Sequence, residues 1–331
     1  MEAASVRYQG GSTRQTDTLR YSGSPQVAAG VHAPSGVRWY VDGDMEIGYE
    51  LHSMARRVFT RVLYYPIARL LPKKVGEWLF AGLSSDAHGV RTHATSHRAL
   101  ELIYTYPTRP AARGLLDAIA TRWWFTIANA RSVRNRLRLV KREVRLAILK
   151  IEKDDVVLMS LGSGSARAIL EVLYELKGGS KRVRAILVDR SRSALDYSRS
   201  LAAELGVLDQ IETVKSDVLQ VAADVDRIKP DVVEMVGLLD YFDAAGCVKL
   251  IRGIHTALLP GAYFITGNIR DNPERDVVTR FIGWPMLYKS EGELGNILVE
   301  AEFRPQDVRI IYEPFLIHGV AVAKRNGFSN P

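Results

Sequence analysis

The chain predicts an α/β protein: a seven-stranded, mostly parallel sheet closed by an antiparallel hairpin, with a helical extension ahead of it. Three observations carry this prediction. Residues 154–190 read as apolar strand, glycine turn, helix, second apolar strand, acid, which is one βαβ nucleotide-binding unit. The same alternation of short apolar runs and helical stretches continues to residue 301. Two last apolar runs, 308–312 and 317–323, lie close enough together to pair as a hairpin.

The first strand, 156–161, is continuously apolar between charge and glycine, the pattern of a strand buried on both faces. Gly162-Ser163-Gly164-Ser165-Ala166 follows; its glycines allow a tight turn and a close approach of backbone to ligand. A helix over 166–176 leads to a second strand, 183–188, ending in Asp189. Next come a helix over 193–205 stopped by Gly206, a third strand over 211–214, and Ser216-Asp217-Val218. A fourth strand over 231–236 ends in Gly237-Leu238, with Asp240 and Tyr241 just beyond. A helix over 248–259 precedes a fifth strand with Asn268 at its end, and a helix over 291–301 precedes the hairpin.

The motif Leu161-Gly162-Ser163-Gly164-Ser165-Ala166 resembles the first motif of the class I S-adenosylmethionine-dependent methyltransferases, which have a Rossmann-like sheet. Asp189, 25 residues after Gly164, stands where that family holds the ribose hydroxyls, and a carboxylate accepts from both. Asp217-Val218 resembles the family's adenine-contacting position. The final antiparallel hairpin is also a family feature and separates the chain from dinucleotide dehydrogenases. The resemblance covers about residues 135–325 and departs in two places. Ser160 stands where the family has an acid, and Ala166 replaces a third glycine.

The resemblance implies S-adenosylmethionine as cofactor, contacted by Ser160, Gly162, Ser163, Gly164, Asp189, Arg190, Asp217, Val218, Gly237 and Leu238. Ligands of open α/β sheets bind at the C-terminal strand ends. That puts Asp240, Tyr241 and Asn268 near the reacting methyl group. Trp123, on a long helical pattern over 111–150, is expected to overhang the pocket with Asn129, while the C-terminal half of that pattern flanks the sheet edge.

The chain divides on this reading into a flexible tail (1–36), a helical cap that builds the acceptor pocket (37–130) and the cofactor-binding domain (131–331). The 331 residues carry a net charge of +8, split as +10 over residues 1–155 and −2 over the rest. The basic character therefore belongs to the N-terminal half. Residues 54–80 mix arginine and lysine with apolar residues at helical spacing, broken by Pro66 and Pro72. Such a helix can lie on a membrane surface, but docking on the catalytic domain is the commoner use and the one expected. Arg131, Arg134, Arg138, Arg142 and Arg145 form a basic stripe, a solvated face or a seat for phosphate or carboxylate. His93 and His97 share a helix face without a third ligand, so no metal site is expected.

One cysteine, Cys247, excludes an internal disulfide, and no apolar run approaches the ~20 residues that span a bilayer. A cytoplasmic setting is the default. The leading function is methyl transfer to a small-molecule acceptor, with nucleic acid unlikely. The alternatives are a synthase or cyclase that consumes the cofactor's aminobutyrate arm and releases methylthioadenosine, an RNA-binding protein using the arginine face, and a silent scaffold.

Overall fold

The computed structural model of the protein describes residues 31–32, 35–109, 114–217 and 220–326. The tail expected over 1–36 lies almost wholly outside them, and so does Val218. Two strands open the chain, β1 (Val31–His32) and β2 (Arg38–Val41). A helical series follows: α1 (Met54–Phe59), a π turn at Thr60–Tyr64, α2 (Tyr65–Leu70), α3 (Lys73–Glu77), α4 (Ser85–Thr92), α5 (His97–Thr105), α6 (Leu115–Trp124) and α7 (Ala128–Lys150). The remainder alternates: β3 (Asp155–Leu161), α8 (Arg167–Leu176), β4 (Arg182–Asp189), α9 (Arg192–Leu205), β5 (Ile211–Lys215), α10 (Val221–Ile228), β6 (Val232–Val236), α11 (Ala244–Ala257), β7 (Tyr263–Ile269), α12 (Glu291–Glu300), β8 (Val308–Tyr312) and β9 (His318–Lys324).

The strands form one sheet in the order β1-β2-β8-β9-β7-β6-β3-β4-β5. The seven expected strands are all present, and the hairpin β8–β9 is antiparallel. Two strands are added that the sequence hid. β2 pairs in parallel with β8, and β1 pairs antiparallel with β2. The segment from residue 37 reads as helical because its apolar residues merge with the helical series. A four-residue strand is too short to impose its own period.

Alternate residues of the central strands feed two cores. Met159, Val233 and Phe264 pack with Ile251 and Ile254 of α11 and with Leu294 and Leu298 of α12. Leu158, Val232 and Ile265 pack on the other face with α7, α8 and α9. Leu139, Val140, Val144 and Ile148 of α7 join this second core together with Val320 and Val322 of β9. Helix α7 therefore lies across the middle of the sheet, not at its edge, because its apolar stripe needs the broad buried face that only central strands offer.

Pro66 does not break the first helices apart. It falls in the first turn of α2, directly after the π turn, where Tyr65 N–H reaches back to Thr60 O. A π turn absorbs the hydrogen bond that proline cannot donate. The pattern expected as one helix over 111–150 is two, α6 and α7, separated at residues 125–127. Helix α7 starts there because Glu274, remote in sequence and fully buried, accepts from Ala128 N at 3.0 Å and Asn129 N at 2.7 Å. A carboxylate on two free N–H groups caps the helix as an N-cap side chain would. Burial still raises the Glu274 carboxyl, against the pull of those donors.

Most of the arginine stripe of α7 is turned inward and paired. Arg134, buried, clasps Glu50 with Nε and Nη2 at 2.6 Å each. Arg138 lies 3.4 Å from the same carboxylate. Burial would raise the Glu50 carboxyl, but Arg134, then Arg138 and Arg131, hold it below its ordinary value. Arg142 meets Asp42 at 2.7 Å and Asp44 at 3.2 Å. Four of the five arginines thus bind the carboxylates of the chain's own segment 42–50, which removes most of the surface an RNA reading requires.

Candidate active site

The strand order reverses between β3, which neighbours β4, and β6, which neighbours β7. Ligands of open α/β sheets bind above such a switch point. A cavity of about 670 Å³ opens there, lined by Gly162 and Gly164 of the glycine loop, Asp189, Arg190 and Ser191 after β4, Ser216 after β5, and Gly237, Leu238, Asp240 and Tyr241 after β6. This volume lies within the ~300–1,000 Å³ of small-molecule sites. A second concavity, about 740 Å³, sits away from the strand ends on the outer side of α10 and α11, beside Ala222, Lys249 and Arg252.

At one end of the cavity Asp189 is fixed by backbone. Its Oδ2 accepts from Gly164 N at 2.9 Å and its Oδ1 from Ser191 N at 2.8 Å. Each oxygen keeps a lone pair, so the carboxylate can still accept from a diol. Gly162 (φ +64°) and Gly237 (φ +88°) hold left-handed conformations where the loops after β3 and β6 face each other. A Cβ on Gly162 would reach Leu238 at 3.6 Å, and one on Gly237 would reach Arg136 Nη1 at 3.7 Å. The left-handed backbone alone favours glycine at both positions and leaves the facing loops without side chains.

The other end is apolar and belongs to elements before β3 and after β7. Phe80, Ile103, Trp124, Phe125 and Val133 meet Val278, Ile282, Trp284 and Met286. Asn129 also lines it, its Nδ2 donating to Asn272 Oδ1 at 2.8 Å. Three polar groups stand between the two ends. Asp240 is buried and accepts from Ile269 N at 2.9 Å; burial raises its carboxyl, and Arg136 pulls the other way. The Tyr241 hydroxyl accepts from Trp284 Nε1 at 2.8 Å, and burial raises it too. Arg136 of α7 has no carboxylate within 4.0 Å among the described residues, and its Nη2 makes one long bond, 3.4 Å, to the Tyr104 hydroxyl.

His318, at the start of β9, lines the same cavity, and neither of its ring nitrogens has a hydrogen-bond partner. Burial, then the charge of Arg136, lowers it well below the usual histidine range. His97 lines the Asp189 end, with burial and Arg98 lowering it while Asp189 opposes.

Of the residues expected from sequence, Gly162, Gly164, Asp189, Arg190, Gly237, Leu238, Asp240 and Tyr241 line one cavity. Five others do not line it. The Ser160 hydroxyl donates to Glu234 Oε2 at 2.5 Å beneath the loop. Ser163 lies behind the loop, with its N–H on Val188 O. Asp217 is exposed, one residue past the lining Ser216. Asn268 donates its Nδ2 to Ile269 O and Lys289 O, which ties the segment after β7, while its Oδ1 is buried without a partner. Trp123 packs against Phe59 and Tyr64, with Arg56 above its ring at 4.2 Å, while its neighbour Trp124 takes the cavity side. One helical step of 100° separates the two.

The residues that sequence reasoning missed are Arg136 and His318. Arg136 carried one signal: it lies off the arginine stripe, on the apolar side of α7. His318 carried none.

The switch-point cavity, the glycine loop and the acid at the end of β4 define a class I S-adenosylmethionine-dependent methyltransferase. Residues 45–325 match the model of the family described as "Putative methyltransferase", and the chain belongs to that family. S-adenosylmethionine is its cofactor. No curated protein matches the chain. Among solved structures, the chain is similar to a Bordetella parapertussis protein described as a possible exported protein, with 20% identity over 73% of this chain and 87% of that one and a TM-score of 0.59. It is also similar to magnesium protoporphyrin IX methyltransferase of Synechocystis with bound S-adenosylhomocysteine, with 13% identity over 77% of this chain and 99% of that one and a TM-score of 0.47.

The site fits the cofactor. Asp189 keeps lone pairs for a ribose diol, the glycine loop leaves bare backbone beside it, and Arg136 is a buried cation with no carboxylate within 4.0 Å among the described residues. No group of three or more histidine, cysteine, aspartate or glutamate side chains is placed to hold a metal among the described residues.

Proposed function

We propose that the protein methylates a small molecule that enters the apolar end of the cavity. The observation that carries this is the shape of that cavity: one polar end built by the sheet loops, continuous with a wall of aromatic and aliphatic side chains from α5, α6 and the segment after β7. Such a wall suits an organic acceptor of mixed polarity and is too enclosed for a duplex. The cofactor, when bound, supplies a sulfonium-activated methyl group, so the chain's work is positioning and proton removal.

On this reading Asp189 holds the ribose, and the loop at Gly162–Gly164 and Gly237–Leu238 flank the aminobutyrate arm. Asp217 and Val218 serve the adenine. Asp240 takes the acceptor's proton; its raised carboxyl makes it a better base than a solvated aspartate. Tyr241, held by Trp284, donates to the acceptor. Arg136 seats a carboxylate, of the cofactor's arm or of the acceptor. Residues 37–130 act as cap and acceptor domain, and a cytoplasmic setting is retained.

The test is to incubate the purified protein with S-adenosylmethionine, with and without fractionated cell extract, and to identify the nucleoside product by mass spectrometry. S-adenosylhomocysteine that forms only with extract supports methyl transfer. Methylthioadenosine formed without extract would replace that reading with use of the aminobutyrate arm.

A further inference from the structure

Helices α1 and α2, joined through the π turn, turn an apolar side to solvent. Arg56, Thr60, Tyr64 and Ala68, four apart, face the protein, with Thr60 and Ala68 buried. The opposite stripe, also four apart, is Met54, Val58, Val62, Pro66 and Leu70, and all five are exposed. Val62 is 69% exposed and Leu70 83%. A surface helix in water presents polar residues there. Trp78 after α3, 59% exposed, and Leu115, Leu116 and Ile119 of α6 are exposed as well. Helix α6 is joined to α1 through Trp123, whose ring packs edge-on against Phe59 at 5.8 Å. Exposed apolar side chains gathered in this way mark an interaction site.

Charge identifies what it meets. Residues 51–85 hold six arginines and lysines and one acid, Glu77. Glu77 is already engaged by Arg91 at 2.9 Å. Arg57, Arg61, Arg69 and Lys74 are exposed beside the apolar stripe and have no carboxylate partner among the described residues. Apolar side chains flanked by free cations, with a tryptophan at the margin, match the layering of a bilayer surface: acyl boundary, phosphate, headgroup level.

We propose that the outer face of α1, α2, α3 and α6 docks on an anionic lipid bilayer. No helix among the described residues is long and apolar enough to cross a membrane, so the contact is peripheral. Trp124 of α6 and Phe80, in the turn after α3, also line the apolar end of the cavity. Docking therefore brings that end next to the lipid. The inference stands on the surface alone and does not depend on the reaction performed below it.

The test is sedimentation of the full-length protein with vesicles of phosphatidylglycerol mixed with phosphatidylcholine, against phosphatidylcholine alone. The expected result is binding to the anionic vesicles at least about tenfold tighter than to the neutral ones, weakened by salt. Arg61→Glu with Arg69→Glu should lower it by at least about tenfold, and so should Val62→Ser with Leu70→Ser. All four side chains are exposed, so circular dichroism and thermal midpoint should stay unchanged. Absence of binding, or equal binding to both vesicle types, overturns the proposal. A dimer in sedimentation velocity that Val62→Ser with Leu70→Ser dissolves, without vesicle binding, assigns the face to a second copy instead.

Discussion

Ser160 on β3 and Glu234 on β6 face each other across neighbouring strands, Oγ 2.5 Å from Oε2. The resemblance to class I methyltransferases calls for an acid at position 160. Here the carboxylate comes from the adjacent strand instead, in register with the serine. Glu234 Oε1 also accepts from Val236 N at 2.9 Å, so the carboxyl braces the end of β6 just before Gly237.

Burial pushes the Glu234 carboxyl up to about 7, although Ser160 and Val236 N pull it down. A carboxyl raised in the folded state is easier to ionise in the unfolded one. Its penalty is absent below the unfolded value near 4.5, grows as pH rises, and is complete above about 7. The full penalty is about 3 kcal/mol. Glu234→Gln should therefore flatten the fall in thermal midpoint between about pH 5 and pH 7.5. Parallel melting curves for the two proteins across that window would show that the carboxyl is not raised.

Asp189→Ala should weaken binding of S-adenosylhomocysteine by about 1–3 kcal/mol, the cost of losing a charged partner in a part-buried site. Calorimetry measures this directly. Unchanged affinity would remove Asp189 from the ribose contact.

Arg136→Met separates two sources of carboxylate. If Arg136 seats the cofactor's arm, S-adenosylhomocysteine should bind about tenfold or more weakly, with methylthioadenosine, which lacks that carboxylate, unaffected. If it seats the acceptor, cofactor affinity should hold while the acceptor's KM rises by a similar factor. A variant normal in both respects would show that Arg136 meets no anion.

Glu50→Gln leaves the Arg134 guanidinium buried with half its partner. Stability in chemical denaturation should fall by on the order of 3 kcal/mol, since a buried cation then lacks its counter-charge. A loss below about 0.5 kcal/mol would mean the pair behaves as a surface contact.

Much of this was legible in the sequence. Apolar runs bounded by glycine and charge placed β3 to β9, and the spacing from Gly164 to Asp189 placed the polar end of the cavity. These signals are local, carried within one βαβ unit. The acceptor end was legible only in outline, as a cap ahead of the sheet, because its individual residues are assembled from contacts between distant segments. Arg136 reaches the cavity only because α7 crosses the centre of the sheet. His318 reaches it because β9 inserts between β7 and β8. Asn268 and Trp123 do not line the cavity, for a finer reason. The strand end and the helix were right, but the direction of a side chain by one residue was not fixed by pattern alone.

The pairing of β2 with β8 has a consequence for synthesis. Residues 38–41 leave the ribosome well before their partner, residues 308–312, exists. At about 5–20 residues per second that wait is roughly tens of seconds. Through it, Asp42, Asp44 and Glu50 can already find the arginines of α7, but the strand beside them has no edge to join. The nascent chain must therefore hold its first helices, with their outward apolar stripe, against premature association until the last hairpin closes the sheet. A version of the protein begun at residue 131 would meet the converse problem, with β8 emerging as a bare edge and four arginines stripped of their carboxylates.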